Sequence, residues 1–352
     1  MPTDRRSFLV VVIEPVAELE YPAWDAYVDV HPAATCYHLS GWAEVARVYR
    51  LQVRMLAARE GPGGPVRGVL PLFVIPRPFS RYVTNAIFGA YGEVLADRED
   101  IAAALVAEAQ RFTVRERARY LQLKWLGDDT APPGLTRRDV SRIALLSLEG
   151  GSEAVWGRFK SSIRAAIRQA RRAGLELRAG PSQLSAFYDV LAANMRRKGS
   201  PIYGLEFMRA MLDAFDGRIH VLTLWHEGRP ISGAMTLAYR GVLYVPFASS
   251  RAETFKLRPN NLLYWHAIEH ACGLGLHTLD FGTSLIGQST FAFKLHWGAK
   301  PRPAPSYLYS PGGQQPRIDP SGAAIQAGTR LWRTLPRPFA DALGPLVSRF
   351  MV

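Results

Sequence analysis

The chain has 352 residues, of which 48% are hydrophobic, 11% aromatic and 21% charged, a composition that excludes a disordered chain and a length that suits two domains better than one. Its net charge of +13 is uneven: residues 1–148 hold 18 Lys and Arg against 17 Asp and Glu, whereas residues 149–352 hold 25 against 13. The second half is therefore expected to meet something anionic, and charge alone leaves open RNA, a nucleotide-bearing cofactor or an acidic membrane surface.

At the N-terminus, Arg5-Arg6 precedes six apolar residues, Phe8 to Ile13. That run is too short for a signal-peptide core and predicts a first β-strand. No apolar run approaches the ~18–20 residues of a membrane span. Cys36 and Cys272 cannot make a disulfide framework, so a reducing compartment is expected.

From residue 40 onward an internal resemblance organises the chain. Val66-Arg-Gly-Val-Leu-Pro-Leu72 and Ile231-Ser-Gly-Ala-Met-Thr-Leu237 share the pattern [VI]-x-G-[VA]-[LM]-x-L. Each follows a turn opened by Glu-Gly, a strand-like stretch (53–58; 220–225) and a helical pattern (40–50; 205–215). After each hairpin comes a helix (101–115; 261–272) and then a strand (120–125; 277–281). The shared order predicts a duplicated α/β unit. The boundary is placed at 148, where Glu149-Gly150-Gly151-Ser152 breaks the pattern, and the second unit is expected to close near 310, after the Pro-rich stretch 301–305.

The segment Lys160 to Gly174 is the clearest electrostatic feature. Lys160, Arg164, Arg168, Arg171 and Arg172 recur at helical spacing beside an apolar stripe of Ile163, Ile167 and Ala170. Arginine suits bidentate phosphate contact, and a solvated basic face is the alternative. Pro259-Asn260-Asn261 reads as a helix start, with Lys256 and Arg258 just upstream; its free N–H groups suit an anion or simply an ordinary cap. Further on, Leu279-Asp-Phe-Gly-Thr-Ser284 is a strand running into a Gly-containing loop, followed by Thr290-Phe-Ala-Phe-Lys-Leu-His-Trp-Gly298. Asp280 at a strand end and Lys294 among aromatic residues are the polar groups expected at a site. His266-Ala-Ile-Glu-His270 matches an inverted zinc-peptidase motif, but no glutamate follows Glu269 to serve as a further ligand, and no metal site is expected. G-x-S-x-G, Walker A and G-x-G-x-x-G patterns are missing from the sequence. The tail includes Phe339–Phe350, an amphipathic helix with few charges, predicted to pack on the body or to touch a membrane interface.

Leu279-Asp-Phe-Gly-Thr-Ser followed by Phe293-Lys-x-x-Trp-Gly298 resembles the signature of the FemAB-like proteins, in particular the branch associated with exosortase and exopolysaccharide gene systems. Gly68-Val-Leu-Pro-Leu72, Phe88-Gly-Ala-Tyr-Gly92, Ile163-Arg-x-Ala-x-Arg168 and Asn261-Leu-Leu-Tyr-Trp265 add to the likeness, which covers nearly the whole chain. The resemblance implies an α/β (α+β) fold of two tandem GNAT-like domains, 1–148 and 149–310, each a mixed twisted sheet flanked by helices, with a tail over 311–352. It implies transfer of an acyl or aminoacyl group to an amine of a cell-envelope or exopolysaccharide precursor, lipid-linked or free. Acyl-CoA or aminoacyl-tRNA would be the co-substrate, with no permanently bound cofactor. It points to Lys294 as the active-site lysine, and acyl-transfer chemistry makes Asp280 the base or orienting group. Ser249, Lys256, Arg258, Asn260 and Asn261 are expected at the donor, and Tyr91, Arg164, Arg168, Phe293 and Trp297 at the acceptor, whose pocket the resemblance places between the two folds. The glycine-rich pyrophosphate loop of ordinary GNAT enzymes is absent, its place taken by Lys256 to Asn261. A cytoplasmic protein, with or without contact at the inner face of the membrane and with no DNA partner, is expected. The competing reading is a non-catalytic adaptor in envelope polysaccharide assembly that keeps the fold.

Overall fold

A computed structural model of the chain describes residues 11–127, 132–314, 316 and 323–350. In chain order the first elements are β1 (Val11–Pro15), α1 (Tyr21–Val30), α2 (Gly41–Arg47), β2 (Gln52–Glu60), β3 (Val66–Arg77), β4 (Ser80–Thr84), β5 (Leu95–Ala96), α3 (Glu99–Arg115), β6 (Leu121–Lys124) and β7 (Thr136–Arg138). Next come β8 (Ser141–Ser147), α4 (Gly151–Arg158), α5 (Ser161–Arg172), β9 (Glu176–Ala179), α6 (Leu184–Lys198), α7 (Leu205–Ala214), β10 (Ile219–His226), β11 (Arg229–Tyr239) and β12 (Val242–Ser250). The chain ends with α8 (Pro259–Gly273), β13 (Thr278–Leu285), α9 (Ser289–His296), β14 (Lys300–Pro303), β15 (Ser306–Tyr309), α10 (Ala323–Thr334) and α11 (Arg337–Ser348). The predicted first strand is seen as β1; residues 8–10 lie outside the described residues.

Two mixed sheets result, flanked by helices as expected. The first runs β1-β2-β3-β4-β6-β15-β7 with β5 on β3, and the second runs β14-β8-β13-β12-β11-β10-β9. The repeated order is present in both: a helix, a three-stranded antiparallel meander, a helix, then a strand parallel to the meander's last, β4 with β6 and β12 with β13. Strands in the middle of each sheet are covered on both faces, which is why β3 reads as a near-continuous buried run from Gly68 to Ile75.

The sheets do not respect the division at 148 and 310. β8, which precedes the boundary, pairs with β13 and β14 in the second sheet, while β15 returns from the second half to lie between β6 and β7 in the first. The Pro-rich stretch is not a closing linker either. Pro301 and Pro303 lie in β14, an edge strand, where a proline's missing N–H costs no ladder bond on the open side. One apolar core is shared by the halves: Tyr37, Trp42 and Phe88 pack with Phe207, Phe215 and Tyr244. Two others lie beneath α3 and beneath α4, α5 and α8.

Candidate functional site

The parallel pairing of β12 and β13 ends at Tyr244 and Asp280. On its other side β13 shifts register against β8 between Asp280 and Thr283. Gly282 sits in that irregularity with φ +73°, a conformation that glycine takes without a Cβ penalty. The turned backbone directs the carbonyls of Gly282 and Thr283 toward α9, and the Gly282 N–H back to the Asp280 carboxylate, 2.6 Å from Oδ1.

Asp280 is buried, 1% exposed, and its second oxygen accepts the phenol of Tyr91 from the first half. Burial raises its pKa to about 7, against the lowering effects of the Gly282 N–H and of Lys294. Lys294, on α9, donates to the carbonyl oxygens of Gly282 (2.8 Å) and Thr283 (3.0 Å). Burial lowers its pKa to about 8, with Asp280 pulling the other way. An ammonium has three donors, so one is left for a ligand. The arrangement is a buried acid near neutrality beside a buried cation near neutrality, which is what proton transfer and charge stabilisation at one centre require.

Lys294 opens onto a cleft of about 340 Å³ between β12, α6 and α9, lined also by Asn194, Arg197, Ser249, Asn260 and Phe293. Phe255, Asn260 and Phe293 are shared with a larger groove of about 670 Å³ between α5 and the start of α8. The two form one channel from the basic helix to Lys294. Asp280 does not line it. With Tyr91, Thr35, Glu93 and Arg302 it faces a separate cavity of about 270 Å³ between the halves.

The expected donor residues fall unevenly along the channel. Ser249 and Asn260 line it, and both are tied: Asn194 Nδ2 donates to Ser249 Oγ (2.8 Å), and Ser250 Oγ to Asn260 Oδ1 (2.6 Å). Arg258, with φ +58°, and Asn261 line the groove at the helix start. Lys256 does not; it contributes its carbonyl to the side chain of Gln169 (2.9 Å).

Three acceptor expectations, Arg164, Arg168 and Trp297, need correction or relocation. Arg164 is turned away from the groove and donates to the carbonyls of Trp156 (3.3 Å) and Gly157 (3.1 Å) at the end of α4. Arg168 is exposed off the groove wall. The α5 face that meets α8 carries Ser162, Ala166 and Gln169, and Arg172 is the cation it brings to the groove. Trp297 is core, 1% exposed and packed edge-on against Phe159. Tyr91 is buried against Asp280 and lines the cavity between the halves, and Phe293 lies in the channel wall.

The sequence reading missed Asn194, Arg197 and Gln169, and it held Arg172 as one member of the basic stripe without singling it out for the groove. A signal was present in the run Asn194-Met-Arg-Arg-Lys198, a cationic helix end, but nothing in the sequence places α6 beside β12. The two histidines of the zinc-like motif go to different partners, His266 to Glu269 (2.9 Å) and His270 against the ring of His220.

The first sheet has the same parallel pair, β4 and β6, with its gap closed. Beyond Thr84, Asn85 accepts the N–H of Lys124 on Oδ1 (2.8 Å) and donates to the carbonyls of Lys124 (3.0 Å) and Gly92 (2.5 Å). A side-chain amide thus stands in for the missing strand partner, whereas the second copy has the Lys294 cleft beside its own parallel pair.

Residues 157–294 match the family model of an acetyltransferase (GNAT) domain. Among solved structures, the chain is similar to FemX (15% identity, TM-score 0.64, covering 85% of this chain and 97% of that one). It is also similar to L-PGS from Bacillus licheniformis (12% identity, TM-score 0.57, 89% and 97%) and to a tandem GNAT protein from the clavulanic acid biosynthesis pathway (14% identity, TM-score 0.55, 87% and 100%). No curated protein sequence matches the chain. The fold is that of tandem GNAT-like proteins, with an acetyltransferase-type domain in the second half.

Proposed function

We propose that the protein is an N-acyltransferase that moves an acyl or aminoacyl group onto an amine of a cell-envelope or exopolysaccharide precursor. The observation that carries this reading is the channel that starts at Arg172 and Arg258 and ends on Lys294 where β12 and β13 part. An anionic donor lying in it would bring its acyl carbon to the lysine. Acyl transfer to an amine builds negative charge on the carbonyl oxygen, and the remaining Lys294 donor stabilises it. Asp280, reached from the cavity between the halves, takes the proton the amine sheds, and Tyr91 orients it. As the amide forms, the bond to the CoA sulfur or the tRNA ribose oxygen breaks, and that leaving group takes up a proton from water and departs along the channel. The acceptor therefore enters on the interdomain side and the donor on the opposite side. Much of the rate comes from holding the two in line.

The donor is acyl-CoA or aminoacyl-tRNA. The loop before α8 is a poor pyrophosphate nest: Pro259 has no N–H, and those of Arg258 and Asn261 are bonded to the carbonyls of Phe255 and Arg258. Phosphate contacts then fall to the guanidinium groups of Arg172 and Arg258 and to the N–H of Asn260. The motifs from Leu279 to Gly298 support placement in the exosortase-associated branch, and no described helix is long and apolar enough to cross a membrane.

Purified protein, labelled aminoacyl-tRNA or acyl-CoA, and an amine-bearing precursor test the reading. Lys294→Ala should lower turnover by about 10²–10³, the loss on removing one oxyanion donor. Arg172→Gln and Arg258→Gln should raise the donor KM, while Arg164→Gln and Arg168→Gln leave it unchanged. Undiminished turnover in Lys294→Ala would overturn the mechanism. Binding of a precursor with no transfer from either donor would leave the adaptor reading in its place.

A further inference from the structure

We propose that α11 and the groove beside it form a docking surface for the anionic face of a lipid bilayer. The helix has two unlike sides. Ala340, Gly344 and Ser348 face the body: a Cβ on Gly344 would lie 3.0 Å from Ile202 Cγ2, and Ser348 Oγ donates to the Tyr49 hydroxyl (3.4 Å). On the opposite side Phe339, Leu343 and Leu346, at i, i+4 and i+7, are 61%, 41% and 59% exposed. Scattered exposed apolar residues are ordinary, but three on one helical stripe make a continuous apolar ridge.

Beside the ridge runs a groove of about 720 Å³, bounded by α11, the turn after α2, α6 and the start of α7. Tyr188, Leu205 and Leu346 give it apolar walls, and Arg50, Arg209 and Arg349 supply guanidinium groups, with Glu206 and Asp341 as the acids present. Over 323–350 the chain carries four arginines and one acid, Asp341. Apolar side chains level with arginines are what an interfacial helix needs, the former at the acyl boundary and the latter at the phosphates.

Charge selects this occupant over a second copy of the chain. The groove sets Arg50, Arg209 and Arg349 against Glu206 and Asp341 within a half of net +12, so the face is cationic overall and an anionic leaflet attracts it more than a second cationic copy does. The placement also suits the channel. α6 carries Tyr188 in the groove and Arg197 in the Lys294 cleft, nine residues apart and so about 14 Å along the helix axis. A lipid-linked acceptor in the leaflet would lie within reach of the site; that last link rests on the proposed transfer, and the docking itself does not.

Vesicle flotation tests the surface with no substrate present. The full chain should float with phosphatidylglycerol-containing vesicles, weakly or not at all with pure phosphatidylcholine, and release at high salt. Phe339→Glu with Leu346→Glu should lower the bound fraction at least tenfold with Tm unchanged, because both side chains are exposed. Arg209→Gln with Arg349→Gln should weaken binding to the anionic vesicles. Absence of flotation, or equal flotation of the glutamate variant, would overturn the proposal. So would a dimer, seen by sedimentation, that the same glutamates dissociate while vesicles are ignored. Loss of transfer activity without loss of flotation would count against the transfer reading alone.

Discussion

At the scale of single residues, Asp280 and Lys294 draw opposite consequences from burial. Desolvation penalises the charged form of each, lifting the carboxyl to about 7 and lowering the ammonium to about 8. Transfer needs the carboxylate free to take a proton and the lysine still charged. Turnover is expected to rise as pH climbs through about 7 and to fall beyond about 8, a narrow bell in kcat/KM against pH. Asp280→Asn should remove the acidic limb along with most of the activity. The same shift has a stability consequence. A carboxyl whose folded pKa is raised holds its proton in the folded state after the unfolded chain has lost it. The stability tied to that proton is therefore fully present below about pH 4 and lost as pH rises to about 7. Asn mimics the protonated acid, so Asp280→Asn should raise Tm at about pH 8 and leave it nearly unchanged at about pH 4. Equal shifts at both pH values, by calorimetry, would show that the carboxyl is not the destabilised group. Both residues were legible in the sequence as polar groups at a strand end and among aromatics. Their coupling was not, because it depends on the Gly282 turn and on Tyr91, 189 positions away from Asp280.

At the scale of elements, the order of the repeat was readable and its register was not. The seven-residue likeness aligns Gly68 with Gly233, yet the two face opposite sides of their sheets. A Cβ on Gly68 would meet Ile101 and Leu105 of α3, whereas one on Gly233 would meet Phe187 of α6. Each hairpin carries an irregularity, opposite Ala58/Arg59 in the first and Leu224/Trp225 in the second. Anchored there, Gly68 corresponds to Ser232, and the sequence match is off by one residue. A slip of one turns every side chain to the other face, so a short sequence likeness cannot establish structural equivalence. What survives is the alternation of helix and meander, which hydrophobic periodicity encodes locally. The basic helix shows the same limit: Ile163, Ile167 and Ala170 set its buried side, but which cations reach the groove depends on where α8 packs. Asn85 is a further element-scale device, holding the first sheet's parallel gap shut with three hydrogen bonds. Asn85→Ala leaves the buried backbone groups of Lys124 unpaired and should cost about 1–3 kcal/mol in urea unfolding. A neutral effect would show that the gap is closed by packing alone.

At the scale of the whole molecule, the charge division at 148 and the structural division part company. Net charge changes from +1 to +12 across that point, but β8 on the near side is the strand that joins β13 to β14, and β15 on the far side is the strand that joins β6 to β7. Each sheet is therefore completed by a strand from the other half. The apolar core shared by Trp42, Phe88, Phe207 and Tyr244 binds them further. Folded alone, 1–148 would carry β8 without its partners and leave β6 with an open edge, while 149–352 would have β13 unpaired on one side. Unpaired edges with buried faces exposed are aggregation-prone. Neither fragment is expected to be soluble by itself, and the full chain should unfold in one cooperative calorimetric transition, since loss of either sheet strips a strand from the other. Two well-separated transitions, or a soluble 1–148 with native-like dispersion in its NMR spectrum, would show that the exchanged strands are accessories. Cooperativity of this kind would also fix the geometry on which the site depends, because Tyr91 and Asp280 meet across the very boundary that β8 and β15 lock.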